Sequence, residues 1–223
     1  MAIQNIIFDL DGTLIDSARL TGLIIDQMLA DRGVADVADR EMDAVGDEAM
    51  IAAVMGIHSQ DPAADLEEFR ARYRRIEVPG NLAFPGIVDG LAAIRRSRRA
   101  LAICSNKPQY LCEKILCDLK VDHRFAAIVG SDPVRPGKPA PDAALLALGG
   151  TADDTLYCGD SLVDVLTARA AGLPVALPVA LVEWGYGSAE ASSFEPGLPL
   201  VRTMSCLVGI LHDESGLGLL LHG

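Results

Sequence analysis

Aromatic residues make up only 4% of this 223-residue sequence. A core built from it must be aliphatic, and few side chains remain to stack on the bases of single-stranded nucleic acid. Positive charge is also scarce: 19 lysines and arginines against 31 acidic residues leave a net charge of −12. That surface repels a phosphate backbone, which excludes a nucleic acid polymer as partner. A small anion remains admissible, because a bound cation or a few local donors reverse the field inside a pocket. Long apolar runs are missing too. The longest uncharged stretch, Ala170 to Val182, carries Pro174 and Pro178 and is too short to span a bilayer, so no membrane association is expected. The N-terminal MAIQNIIFDLDG has no basic segment and turns acidic by Asp9, so no secretory signal is read and the expected compartment is the cytoplasm. The five cysteines, Cys104, Cys112, Cys117, Cys158 and Cys206, form no C-x-x-C pair and read as reduced thiols.

What the sequence does contain is an alternation of short aliphatic runs and amphipathic segments, the pattern of an α/β fold with a parallel sheet flanked by helices. Strands are predicted at Ile3 to Phe8, Ala100 to Cys104, Ala126 to Val129, Thr155 to Cys158 and Pro174 to Leu177. Helices are predicted at Pro108 to Leu119, Ala140 to Leu148 and Leu162 to Ala171, the last stopped by Gly172. Residues 16–82 break the alternation: Leu20 to Arg32, Glu41 to Met55 and Asp65 to Ile76 are all helical patterns. The expected organisation is therefore a core of 1–15 with 83–223 and an inserted all-α cap of 16–82. That insert holds 14 acidic and 7 basic residues, so −7 of the −12 belongs to it.

Open parallel sheets bind ligands beyond the carboxyl ends of their strands. There the sequence places Asp9, Asp11, Gly12 and Thr13 after the first strand, Ser105, Asn106 and Lys107 after the second, Lys138 in the loop after the third, and Asp160 and Asp164 after the fourth. Asp9 and Asp11 would repel each other in a dry site unless a cation or a raised pKa relieved them. Mg²⁺ suits such a set, being a hard ion that takes oxygen ligands and shares its shell with phosphate, and Asp160 adds a third carboxylate. A carboxylate beside a metal and a lysine is a competent nucleophile toward phosphorus. Asp9 is the candidate for that role, and Asp11 the candidate acid and base. Ser105, Asn106, Gly12 and Thr13 are read as phosphate donors and Lys138 as the charge that steadies the transition state. Asp164, one helical turn beyond Asp160, is placed to reach Lys138 or a metal-bound water. Lys107 is either a second phosphate contact or a surface residue, and the reading favours the surface.

These residues resemble the haloacid dehalogenase superfamily. FDLDGTLIDS (Phe8 to Ser17) is similar to its first motif, Ser105-Asn106 to the second, Lys138 in GKPAPD to the third and GDSLVD (Gly159 to Asp164) to the fourth. The resemblance implies a Rossmann-like core with an inserted helical cap. It also implies an aspartyl-phosphate mechanism with Mg²⁺ held by the Asp9 carboxylate, the Asp11 backbone carbonyl and Asp160. SNKP together with Trp184-Gly185-Tyr186 resembles phosphoglycolate phosphatases in particular. Asp11 argues against a dehalogenase, which lacks that second aspartate. Residues 16–82 contain no lysine, which weakens the alternative of a phosphosugar mutase of the β-phosphoglucomutase type; a non-catalytic binding module is the third reading. The expected substrate is a small phosphate ester, and the expected state a monomer or homodimer. Arg40 and Gly46 are candidate specificity residues of the cap. Arg70, Arg72, Arg74 and Arg75 read as a solvated helix face, and the aliphatic segment Leu217 to Leu221 as a tail with no assigned role.

Overall fold

In chain order the elements are β1 (Asn5–Phe8), α1 (Ser17–Asp31), α2 (Pro62–Arg75), α3 (Ile87–Arg96), β2 (Ala100–Cys104), α4 (Gln109–Asp118), β3 (Ala127–Val129), α5 (Asp142–Ala147), β4 (Thr155–Gly159), α6 (Leu162–Ala170), β5 (Val179–Val182), α7 (Ser188–Phe194), β6 (Leu200–Val201) and α8 (Met204–His212). This computed structural model describes residues 3–34, 55–59, 61–133, 136–148, 152–173 and 179–212. The chain divides into two compact units, one made of Met1–Ile15 with Ala83–Gly223 and the other of Asp16–Leu82.

The larger unit is Rossmann-like. Its six strands run parallel in the order β3-β2-β1-β4-β5-β6. β1 lies at the centre, with Ile6 opposite Leu101 on one side and Leu156 on the other. Side chains alternate across the sheet, so Ile7, Ala102, Tyr157 and Val179 join Ala143, Ala144, Val165 and Ala168 of α5 and α6 in one core layer. Ile6, Phe8, Leu101, Ile103, Leu156 and Cys158, one position out of phase, are buried as well. Both faces are covered, which is why these strands read as unbroken apolar runs in the sequence. Because β1 is followed by β2 on one side and flanked by β4 on the other, the strand order reverses beside it. That reversal opens a crevice at the carboxyl ends of β1 and β4.

The smaller unit shows only helices among its described residues. α1 buries Leu20, Ile24, Ile25, Met28 and Leu29, and α2 buries Leu66, Phe69 and Tyr73 at helical spacing. Asp61 caps α2 by accepting the Ala63 and Ala64 amides at 3.1 and 3.2 Å, and Pro62 follows where its missing N–H costs nothing. Arg32 bridges the two helices, 2.6 Å from Asp65 and 2.9 Å from Glu68. It holds the Asp65 carboxyl below the usual carboxylate range, helped by the Ser59 hydroxyl. Arg72 differs from the solvated-face expectation: its guanidinium is spent on Asp31 at 2.7 Å and on Glu68. Arg70 stays exposed and pairs with Glu67 at 3.2 Å.

The expected strand at Pro174 to Leu177 lies outside the described residues, and the strand that pairs with β4 is Val179–Val182. Residues 41–54, Arg40 and Gly46 among the cap candidates, and Leu217 to Leu221 also lie outside the described residues. No helix among the described residues is long and apolar enough to cross a membrane.

Candidate active site

Asp9 is the residue after β1, Ser105 the residue after β2 and Asp160 the residue after β4, so the sheet's own parallel register delivers all three to one edge. The ladder continues one step past the strands: the Asp9 amide donates to the Cys158 carbonyl and the Ser105 amide to the Val129 carbonyl, both at 2.9 Å. The backbone of these residues is therefore fixed before any side chain is considered.

Lys138 reaches the same edge from the loop beyond β3. Its Nζ donates to Asp9 Oδ1 and to Asp164 Oδ1, each at 2.7 Å, and its side chain is almost fully buried. Asn106 clamps the lysine's backbone from both sides, accepting the Lys138 amide at 2.8 Å and donating to its carbonyl at 3.1 Å. The Lys138–Pro139 peptide that follows is cis. Burial works to lower the Lys138 pKa, but Asp164 and Asp9 outweigh it and hold the ammonium charged. Asp9 goes the other way. Burial pushes it well above the usual carboxylate range, against the opposing pull of Lys138.

Asp164 is fully buried and saturated. Oδ1 also receives the Tyr157 hydroxyl at 3.3 Å, while Oδ2 accepts the amides of Asp160 and Ser161 at 3.2 and 3.1 Å and the Ser161 hydroxyl at 2.7 Å. With Ser161 it forms the capping box of α6. One side chain thus starts the helix and aims the lysine.

Asp160 is 4% exposed, and burial together with Asp164 pushes it up to about 6. Gly12 has φ +76°, and a Cβ there would overlap the Asp160 carboxylate; a Cβ on Gly185 would overlap the same side chain. Carboxylate oxygens of Asp9, Asp160 and Asp164 all lie within 4.8 Å of one another, a grouping able to hold a metal ion. Asp164 already receives five donors from the protein and Asp160 three, so of the three carboxylates Asp164 is the least free to take a ligand.

Four sequence candidates occupy positions whose partners the sequence does not reveal. The Gly12 amide donates to the Ile15 carbonyl at 3.0 Å, and the Thr13 hydroxyl lies buried 3.4 Å from Asp160 Oδ1. The Asn106 amide is engaged on Lys138, as described above. Ser105 Oγ accepts the Lys107 amide proton at 3.1 Å, and its hydroxyl also bonds the Cys112 thiol. Arg40 and Gly46 fall outside the described residues.

Lys107 corrects the sequence reading. Its Nζ lies 3.1 Å from Asp11 Oδ1 and its side chain is only 10% exposed, so it belongs to the site and not to the surface. Two further groups had no role assigned from the sequence: Tyr157, whose hydroxyl lies 3.3 Å from both Asp164 and the Cys104 carbonyl, and the loop 184–187, singled out there only for its resemblance, whose Gly187 amide donates to Asp160 Oδ2 at 3.1 Å. Among the described residues of the site four carboxylates meet two ammonium groups, and with all four ionised the deficit of two positive charges is one that a divalent cation matches.

Comparison with known proteins agrees with this geometry. The chain is 32% identical over 190 residues to a phosphoglycolate phosphatase of Xanthomonas campestris pv. campestris (strain 8004), covering 82% of this chain and 84% of that protein. It is equally 32% identical, over 197 residues, to an N-acetylmuramic acid 6-phosphate phosphatase of Pseudomonas putida, covering 83% and 85%. The fold matches the crystal structure of a candidate β-phosphoglucomutase from Thermotoga maritima with a TM-score of 0.76 at 22% identity, over 95% of this chain and 100% of that one. Residues 6–177 match the haloacid dehalogenase-like hydrolase family, and the chain belongs to it.

Proposed function

We propose that this protein is a Mg²⁺-dependent phosphomonoester hydrolase that acts on a small phosphorylated metabolite through an aspartyl-phosphate on Asp9. The observation that carries the reading is the Asp9–Lys138–Asp164 chain at the carboxyl edge of the sheet, where a buried carboxylate is held by a lysine that is itself fixed from behind.

Asp9 and Asp160 would hold the cation, with the Asp11 backbone carbonyl added by the family resemblance. When bound, Mg²⁺ supplies charge that neutralises the carboxylates and the phosphoryl oxygens. Asp9 attacks phosphorus in line with the leaving oxygen, the phosphorus–oxygen bond to the leaving group breaks, and Asp11 gives that oxygen its proton. Asp11 then takes a proton from water, which attacks the acyl-phosphate and releases inorganic phosphate. Lys138 and the hydroxyl of Ser105 face the charge that builds on the phosphoryl oxygens. Asn106, Gly12 and Thr13 act on the phosphate through the backbone they hold, and Asp164 through Lys138. Residues 16–82 are the cap in this scheme.

Support for a hydrolase over a mutase comes from residues 16–82, which contain no lysine. Relatives at equal identity act on phosphoglycolate and on a sugar phosphate, so a phosphoglycolate phosphatase-like specificity must be measured against both. The test is phosphate release from p-nitrophenyl phosphate with and without Mg²⁺, followed by kcat/KM over a metabolite panel that includes phosphoglycolate, N-acetylmuramic acid 6-phosphate and glucose 1-phosphate. Asp9→Asn abolishes turnover if the reading is right; full Mg²⁺-dependent activity in that variant ends it. Isomerisation of glucose 1-phosphate without phosphate release would replace the hydrolase by the mutase.

A further inference from the structure

We propose that the loop 184–187 is a strap that sets the Asp160 carboxylate for a divalent cation, with Trp184 as its positioning residue. The inference rests on the cation-dependent reading above.

The two oxygens of Asp160 are gripped from opposite directions. Oδ2 accepts the Gly187 amide at 3.1 Å, and the Tyr186 amide also donates to this carboxylate. Oδ1 faces the Thr13 hydroxyl at 3.4 Å. The backbone of Gly185 runs so close to Asp160 that no side chain fits between them.

The far end of the strap is anchored to the same segment that meets Oδ1. Trp184 Nε1 donates to the Thr13 carbonyl at 3.0 Å, and its ring packs on Phe84 with centroids 6.5 Å apart. Ser188 Oγ lies 3.2 Å from both the Glu183 and Gly185 carbonyls and closes the turn. The result is a circuit: Thr13 to Asp160, Asp160 to Gly187, back along the loop to Trp184, and from its indole to Thr13. A carboxylate in that circuit cannot rotate without moving the loop, so the direction of Asp160 and the setting of the Trp184 indole are coupled, and a cation that draws on Asp160 is felt at Trp184. The loop carries no charged side chain, so its contribution is to orientation.

Trp184 is the sole tryptophan in the sequence, so its emission reports on the strap directly. The experiment titrates the metal-free protein with Mg²⁺ alone, by calorimetry and by intrinsic fluorescence. Wild-type emission shifts as Mg²⁺ binds, and Asp160→Asn, which keeps the fluorophore, abolishes the shift. Trp184→Phe keeps a ring against Phe84 but loses the N–H donor. It weakens Mg²⁺ binding about tenfold at a nearly unchanged melting temperature, and the deficit in turnover appears in the Mg²⁺ requirement more than in kcat. Wild-type Mg²⁺ affinity in a folded Trp184→Phe, or wild-type emission that ignores a cation seen by calorimetry, overturns the strap. If Trp184→Phe does not fold, the wild-type and Asp160→Asn emission titrations decide. An emission response without phosphate release keeps the strap and ends the hydrolase reading, whereas turnover with no emission response ends the strap alone. Failure of Mg²⁺ to bind at all ends both.

Discussion

Asp164 holds Lys138 with the same 2.7 Å bond that Lys138 makes to Asp9, so the proposed nucleophile and a helix-capping carboxylate share one ammonium. The pairing is buried on every side and leaves Asp164 no spare oxygen. Asp164→Asn keeps the volume but turns one of its accepting positions into a donor against Lys138 or the Ser161 amide. The expected outcome is a kcat about 100-fold lower and a fold less stable by about 3 kcal/mol, since a buried ammonium has lost half of its compensation. Phosphate release and urea unfolding measure the two effects. Unchanged kcat would show that Lys138 finds its place without Asp164.

Lys107 and Lys138 predict different losses. Lys107 sits in a partly open position beside Asp11, and removing its charge leaves four carboxylates against one lysine. Lys107→Met is expected to lower kcat/KM about tenfold, equivalent to ~1.4 kcal/mol of transition-state binding, with a small effect on the melting temperature. Lys138→Met is expected to abolish turnover. Equal losses in both variants would contradict the division of labour drawn here.

The sequence makes the carboxyl edge of the sheet legible because a parallel strand buried on both faces must be apolar, and the polar residue that ends it is conspicuous. Asp9, Ser105 and Asp160 each follow such a run. β5 is harder to read for the same reason: GLPVALPVALV contains two similar apolar tetrads, and the pairing of Tyr157 with Val179 is what identifies a strand in the second. β6 is two residues long and carries no periodicity. The position of Lys107 is lost for a different cause. It precedes the start of α4, where a lysine reads as solvent-facing, and its partner Asp11 comes close only when β1 and β2 pair. Tyr157 looks like a core aromatic, which it also is; the hydroxyl's second contact, to Asp164, depends on the first turn of α6.

The thiols separate by burial. Cys104, Cys112 and Cys158 are buried and Cys117 and Cys206 exposed. Burial pushes the Cys104 thiol up to about 11 and raises Cys112 and Cys158 as well, so none of the three offers thiolate at pH 8. Native protein with a thiol-reactive chromogen at that pH is expected to show Cys117 and Cys206 reacting, with the remaining three appearing only in denaturant. Rapid reaction of Cys104, which neighbours the Lys138 site, would mean that the carboxyl edge opens to solvent.

Stability in the absence of a cation should fall as the pH rises from 5 to 7. Burial holds Asp160 at about 6 and Asp9 also above the usual carboxylate range, so both prefer to be protonated in the folded chain. A raised folded-state pKa gives stabilisation that is complete below the unfolded value of about 4 and is lost as the pH passes through the folded one. For Asp160 the loss between those limits is up to about 3 kcal/mol. Asp65 has the opposite sign, because Arg32 lowers its pKa and its contribution disappears only as the pH falls below 4, outside this window. Mg²⁺ replaces the protons, so its stabilising effect should be larger at pH 7 than at pH 5. Thermal melts in chelator and in millimolar Mg²⁺ across this range test both statements, and Asp160→Asn should flatten the chelator profile. A flat wild-type profile in chelator would mean that the carboxylates are compensated by the two lysines alone, and the requirement for a divalent cation would lose its physical basis.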